Sequence, residues 1–188
     1  MRLSTLVSLI VLVLLFVWST RQMDRPVPGD PLSNGRAEAV DGDSLRMNGE
    51  EMRLLGIDAP EFSQTCKRGG QDWKCGREAA QHLRRLLARA PVTCIGHERD
   101  RYNRLLVTCR SLGVDLGAAQ VKAGMAIANG GYFVEEAEAR NESRGLWAGE
   151  FDNPRDYRIL HPSRQPAATP PQPQTPRPAT VPTPPQRP

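Results

Sequence analysis

The alternation of apolar and polar positions divides this chain before any motif is considered. From Leu3 to Trp18 the sequence is almost unbroken apolar, with Arg2 ahead of it. Ser44-Leu45-Arg46-Met47, then Asn48-Gly49, then Glu50 to Ile57 reads as a β-hairpin, because Asn-Gly supplies the two positive-φ positions of a tight turn. Gly76 to Ala90 places Ala79, Ala80, Leu83, Leu86 and Leu87 on one helical stripe, and Pro91 marks its end. Val92 to Ile95 and Arg104 to Arg110 read as short strands rich in Val, Thr and Leu. Asp115 is placed to cap a helix ending at Gly124, and Glu135 to Arg144, acidic early and basic late, predicts another that stops at Gly145. This order predicts an α+β fold, a five-stranded OB-type β-barrel with about three helices against it.

Composition sharpens the boundaries. Of the 17 prolines among 188 residues, 11 lie between His161 and Pro188, so residues 162–188 form a Pro-rich tail expected to be disordered. Residues 20–35 read as an extended linker and residues 36–161 as the one stretch able to bury a core. A multidomain enzyme, a polytopic membrane protein and a long repeat array are excluded. The apolar run within residues 1–19 falls between a signal-peptide core and a comfortable membrane span. It reads as an uncleaved single-pass anchor, with a cleaved signal peptide as the alternative. Either way the domain is expected outside the cytoplasm, in the cell envelope, the periplasm or beyond. The tail reads as a solvated spacer, with a docking ligand for a partner as its rival.

Charge changes less than it first suggests. The formal net charge is +4, yet residues 36–161 hold 19 basic and 19 acidic side chains, so the excess sits in the appendages. Bulk charge therefore gives no argument for a nucleic-acid partner; any such affinity must come from local placement of arginines. Export makes the four cysteines, Cys66, Cys75, Cys94 and Cys109, disulfide candidates, since their spacing fits no zinc pattern. Cys94 and Cys109 face each other if their strands are joined by a turn near Arg101–Tyr102, leaving Cys66 and Cys75 to close a local loop. Three pairings remain open.

Three clusters carry candidate chemistry: Asp41-Gly42-Asp43-Ser44 before the hairpin, Arg53-Leu54-Leu55-Gly56-Ile57-Asp58-Ala59-Pro60-Glu61 leaving it, and Asp100-Arg101-Tyr102-Asn103-Arg104 between strands. Gathered carboxylates suit a hard cation, paired arginines grip an anion, and a carboxylate beside both can take a proton from water. Together they point to hydrolysis of a phosphate ester. The two-residue turn pairs Asp43 with Leu54, and alternation then puts Asp58 on the same face. Arg53 falls on the opposite face of a regular ladder and joins only if the strand bulges or coils, for which Asp41-Gly42 and Gly56 are candidates.

These clusters, continued through Gly113-Val114-Asp115-Leu116, Val121 to Ala126 and Glu138-Ala139-Arg140 to Gly145-Leu146-Trp147, resemble the staphylococcal nuclease (thermonuclease) family over the whole domain. The cysteines are similar to those of an exported bacterial subset. The resemblance implies an OB-fold barrel and Ca²⁺-dependent cleavage of DNA and RNA with low sequence specificity, by a chain expected to act as a monomer. It implies Asp43 and Asp58 as calcium ligands with the carbonyl of Ala59, and Glu61 as the residue that orients or deprotonates water. Arg53 and Arg104 would hold the phosphate as the transition state forms. Asp41 would support the ligands from behind, and Arg101 and Tyr102 would lie near substrate. Asn103 stands where the family usually has Gly, and Ala126-Ile127-Ala128-Asn129 lacks a tyrosine for which Tyr132 or Phe133 would substitute. The rival readings are a non-catalytic nucleic-acid-binding OB module at the envelope and an envelope protein acting through its tail.

Overall fold

A computed structural model describes residues 32–162; the apolar N-terminal run and the proline-rich tail, with the anchor and spacer expectations attached to them, lie outside the described residues. The strands are β1 (Leu32–Gly35), β2 (Ala37–Ala39), β3 (Ser44–Met47), β4 (Glu50–Leu54), β5 (Ile57–Asp58), β6 (Cys66–Arg68) and β7 (Gln71–Trp73). Helix α1 (Cys75–Leu87), β8 (Val92–Ile95), β9 (Leu105–Ser111), β10 (Val114–Asp115), α2 (Leu116–Lys122), β11 (Ile127–Ala128) and α3 (Phe133–Asn141) follow. A 3-10 turn (Gly145–Ala148), β12 (Gly149–Glu150) and α4 (Pro154–Leu160) complete the described chain.

The main sheet runs β1-β8-β9-β4-β3-β2, with β10 added to β9. Every neighbouring pair is antiparallel except β4 and β9, which run parallel with Met52 opposite Leu105. The α+β class is as expected, but among the described residues β1 and β2 do not pair to close a barrel. Two small sheets, β11-β5 and β12-β6-β7, add to the main one. Residues 32–35, read from sequence as the end of a linker, instead form β1 along β8. Among the described residues there are four α-helices rather than about three, because α4 adds to those the sequence predicts.

The core follows from period-2 strands facing a period-3.6 helix. Leu45, Met47, Met52, Leu54, Val92 and Val107 point in from the sheet, and α1 meets them with Ala79, Leu83, Leu86 and Leu87. Each Leu so buried contributes about 1.5–3 kcal/mol. Of the three pairings left open by the sequence, the structure forms Cys66–Cys75 with Cys94–Cys109. The second joins residues directly opposite in β8 and β9. Across 15 residues of chain it removes about 3 kcal/mol of unfolded-state freedom. The first clips the β6–β7 hairpin to the start of α1, where Trp73 and Leu146 pack against it. Trp73 is thus a packing residue, with the Arg68 guanidinium over its ring.

The start of α1 determines where the Glu61 loop lies. A Cβ on Gly76 would stand 1.7 Å from the Glu61 carbonyl oxygen, so only glycine lets the helix and this loop touch. Gln64 completes the junction: its amide oxygen accepts from Glu61 N at 3.2 Å and its amide nitrogen donates to Asp152 O at 2.8 Å.

Candidate active site

The hairpin register is the expected one. Ser44 sits opposite Arg53 and Leu54 N donates to Asp43 O at 2.8 Å, one step beyond the ladder. Asp43 itself lies in the Asp41–Asp43 bend, outside strand alternation. The Asp41 side chain accepts from Asp43 N at 3.0 Å and Ser44 N at 2.7 Å, which makes that bend a closed local turn. On the other side β4 stops at Leu54 and the chain turns through Leu55–Gly56, Gly56 at φ 80°, before β5 delivers Asp58. These two interruptions resolve the conflict that strict alternation posed for Arg53. The Arg53 fork reaches Asp43 Oδ1 at 2.6 Å with one nitrogen and Asp58 Oδ1 at 2.7 Å with the other.

Both carboxylates are nearly sealed from water, Asp43 at 2% and Asp58 at 3% exposure. Ala59 N donates to Asp43 Oδ2 at 2.8 Å, so Ala59 lies beside both. Burial and the neighbouring Asp41 push the Asp43 carboxyl up to about 7 despite the opposing pull of Arg53. Burial disfavours the Arg53 charge, but Asp43 and Asp58 outweigh it and hold the guanidinium above its ordinary range.

The third cluster supplies Arg104 from the turn ahead of β9. Asp100 organises that turn, accepting from Tyr102 N at 2.9 Å and Arg104 N at 3.0 Å, and holds Arg104 Nε at 2.8 Å. Burial alone would raise the Asp100 carboxyl, but its bonds to Arg104 and Tyr102 N hold it below the usual carboxylate range. Asn103 takes φ 66°, the left-handed conformation that glycine would otherwise supply. Arg104 Nη1 then donates to Ser44 Oγ at 3.2 Å, which attaches this loop to the first cluster. Tyr102 is exposed, with the Arg101 guanidinium 4.8 Å from its ring centre. Tyr132, considered for the missing tyrosine, instead donates to Asp115 Oδ1 at 3.0 Å, while Phe133 is exposed on α3.

One charged residue of the site was missed from sequence. Arg158 of α4 grips Asp58 with both nitrogens, Oδ1 at 3.1 Å and Oδ2 at 2.8 Å, and reaches Glu61 Oε1 at 2.9 Å. Its helix was legible: Asn153-Pro154 is a cap followed by a first-turn proline, and Asn153 does accept from Arg155 N at 3.0 Å. That this helix returns to Asp58 was not, because the two residues are 100 positions apart.

Whether calcium suits these residues is decided by the donor set. Arg53 joins Asp43 to Asp58 and Arg158 joins Asp58 to Glu61, so three carboxylates meet two guanidiniums, while Asp41 bonds to the backbone of its own bend. A surplus of hard oxygen donors fits Ca²⁺. Among the described residues no three or more His, Cys, Asp or Glu side chains are arranged to hold a metal ion. The two most buried of these carboxylates, Asp43 and Asp58, have Arg53 between them.

Known proteins share much of this domain's sequence. Residues 51–149 match the family model described as staphylococcal nuclease homologue, which leaves Asp43 and Arg158 outside the matched span. The succinoglycan biosynthesis protein ExoI of Rhizobium meliloti is 32% identical over 141 residues, 71% of this chain and 74% of that protein. An uncharacterized endonuclease of Escherichia coli is 32% identical over 127 residues, 61% of this chain and 77% of its own length. The probable endonuclease LCL3 of Verticillium alfalfae is 34% identical over 126 residues, but this chain spans only 43% of it. By the matched model and these relatives together, the chain belongs to the staphylococcal nuclease homologue family.

Proposed function

We propose that this chain is a calcium-dependent nuclease, cleaving phosphodiester bonds of DNA and RNA outside the cytoplasm. The observation that carries the reading is the convergence of Asp43, Arg53 and Asp58 from three separate segments, with Glu61 alongside. Asp43, Asp58 and the Ala59 carbonyl would hold Ca²⁺, which when bound polarises the scissile phosphate as a Lewis acid. Glu61 orients the attacking water and takes its proton. Arg53 and Arg104 grip the phosphate oxygens and balance the charge that grows as the pentacoordinate transition state forms. Asp41 keeps the Asp43 bend in place, and Arg101 and Tyr102 contact flanking nucleotide.

Relatives named endonucleases support hydrolysis over a purely binding module. Two disulfides support an oxidising compartment. Among the described residues no helix is long and apolar enough to cross a membrane, so the anchor proposal rests on Leu3 to Trp18 alone. Plasmid and RNA digestion with Ca²⁺, with a chelator and with Glu61→Gln tests the reading. Cleavage should stop in the latter two; activity indifferent to both would refute the mechanism, and binding without cleavage by the unaltered protein would favour the module.

A further inference from the structure

Arg158 is more than a neighbour of the site. Its fork takes both oxygens of Asp58, and Glu61 holds the same guanidinium through Oε1. The two residues assigned above to the cation and to the water are therefore tied to each other by one side chain. Burial weighs against the Arg158 charge, yet Asp58 and Glu61 together keep its guanidinium above the ordinary range.

The helix that carries it is lightly packed. Of α4 only Pro154 is buried, while Ile159 and Leu160 are exposed. Its entry is fastened by Gln64 on Asp152 O, and farther along it Arg158 itself makes the contact with the site. Arg158 also stands at the edge of an open cleft of about 730 Å³ whose walls include Asp58, Arg101, Tyr102, Asn129 and Arg155. The side chain is 34% exposed, so a rotamer change carries its guanidinium from the carboxylates into that cleft without unpacking a core. Three arginines, an amide and an aromatic face make a cleft suited to the phosphate and base of one nucleotide.

We propose that Arg158 is an exchangeable phosphate-binding residue: it neutralises Asp58 and Glu61 in the free enzyme, releases them when a divalent cation binds, and turns to a substrate phosphate in the adjacent cleft. The proposal rests on the calcium reading above and adds a residue beyond the span matched to the family. Charge explains the order. Three carboxylates, Asp43, Asp58 and Glu61, face two guanidiniums, so a dication would carry the cluster past neutrality; Arg158 is then surplus beside Asp58 and a phosphate is the partner at hand. No bond is made or broken in the exchange; one ion pair replaces another.

Calorimetric titration of the disulfide-intact protein with CaCl₂, and then with deoxythymidine 5′-monophosphate in excess Ca²⁺, tests this. Arg158→Gln should bind calcium about tenfold more tightly and the nucleotide about tenfold more weakly, the worth of one charge-assisted bond in each state. Arg158→Lys, which keeps the charge without the fork, should fall between. Arg155→Gln should leave calcium affinity unchanged, because Arg155 lines the cleft without reaching the carboxylates. Calcium affinity in Arg158→Gln equal to or below that of the unaltered protein, or undiminished nucleotide affinity, overturns the exchange. If the unaltered protein and Arg158→Gln both take up no calcium, the calcium reading falls too, and the first titration alone tells the two failures apart. A melting curve for each variant shows that the fold is kept.

Discussion

The side-chain amide of Gln120, on α2, donates to the backbone carbonyl of Gly42, 78 residues earlier in the chain. The same nitrogen donates to Ala79 O at 3.2 Å, and its oxygen faces His82 Nδ1. One fully buried amide thus joins the Asp41–Asp43 bend to α1 and α2. Gly42 must be glycine for this: a Cβ there would stand 2.6 Å from Ala59 Cβ and 2.8 Å from Ala79 Cβ. Gln120→Leu should cost about 1–3 kcal/mol for each carbonyl left unpaired and should weaken calcium binding through the loosened bend. Urea unfolding and a calcium titration read the two effects. A variant as stable as its parent would show that the amide is dispensable.

His82 predicts a pH dependence of stability. Burial, with Arg85 and Arg89 nearby, holds its imidazole below the usual 6.5 despite the bond to Gln120. Below about pH 6.5 the unfolded chain binds a proton that the folded chain refuses, so this contribution is full above that value and is lost as pH falls. Unfolding free energy should therefore drop between about pH 7.5 and 5.5 by more in the parent than in His82→Gln. Equal slopes in the two proteins would sink the idea.

Arg53 and Arg104 should fail in different ways. Arg53 lies between two sealed carboxylates, so Arg53→Gln leaves them uncompensated and should cost about 3–5 kcal/mol without calcium, with part of the loss recovered when calcium is added. Arg104 is nearly as covered as Arg53, but its partner Asp100 keeps backbone donors from Tyr102 and Arg104, so Arg104→Gln should cost less, about 1–3 kcal/mol. Its kcat on DNA should nonetheless fall about 10²–10³-fold, the usual loss for one donor to a developing charge. Thermal melts with and without CaCl₂, set beside initial rates, separate the two; matching losses of stability would contradict the difference in how their carboxylate partners are held.

The Cys94–Cys109 bond bridges adjacent strands of the main sheet, and both residues are buried in its core. Replacing both with Ala should lower stability by about 3 kcal/mol. The site should survive where the fold does, because neither cysteine touches Asp43, Asp58 or Arg104. Activity per folded molecule tests this; a kcat loss at full folding would mean that the bond also shapes the Arg104 loop.

Local patterns were legible because they rest on neighbours in the chain. Asn48-Gly49 set the hairpin register, which puts Ser44 opposite Arg53 as alternation requires. Asp115 caps α2 as read, accepting from Ala118 N at 3.0 Å. The stripe of α1 appears over Cys75–Leu87 rather than through Ala90. Gly69-Gly70, both at positive φ, make the turn of the β6–β7 hairpin, a local signal that the apolar pattern does not carry because its strands are short and mostly exposed. Helix α4 carries a local signal in Asn153-Pro154 but no apolar stripe, since Pro154 is its buried residue.

The sequence by itself determined the hairpin, the stripe of α1, the capped α2 and the residue types of a phosphate-cleaving site, since each depends on side-chain period, turn chemistry or motif. Only the tertiary structure decided that Arg53 bridges Asp43 and Asp58, that β1 and β2 do not close the sheet, and that Arg158 reaches Asp58 and Glu61. For the two arginines the physical reason lies outside any local pattern. Two short breaks in strand alternation, at Asp41–Asp43 and at Leu55–Gly56, redirect side chains that a regular ladder would keep apart. A helix a hundred residues away then brings in a charge that no local pattern could locate.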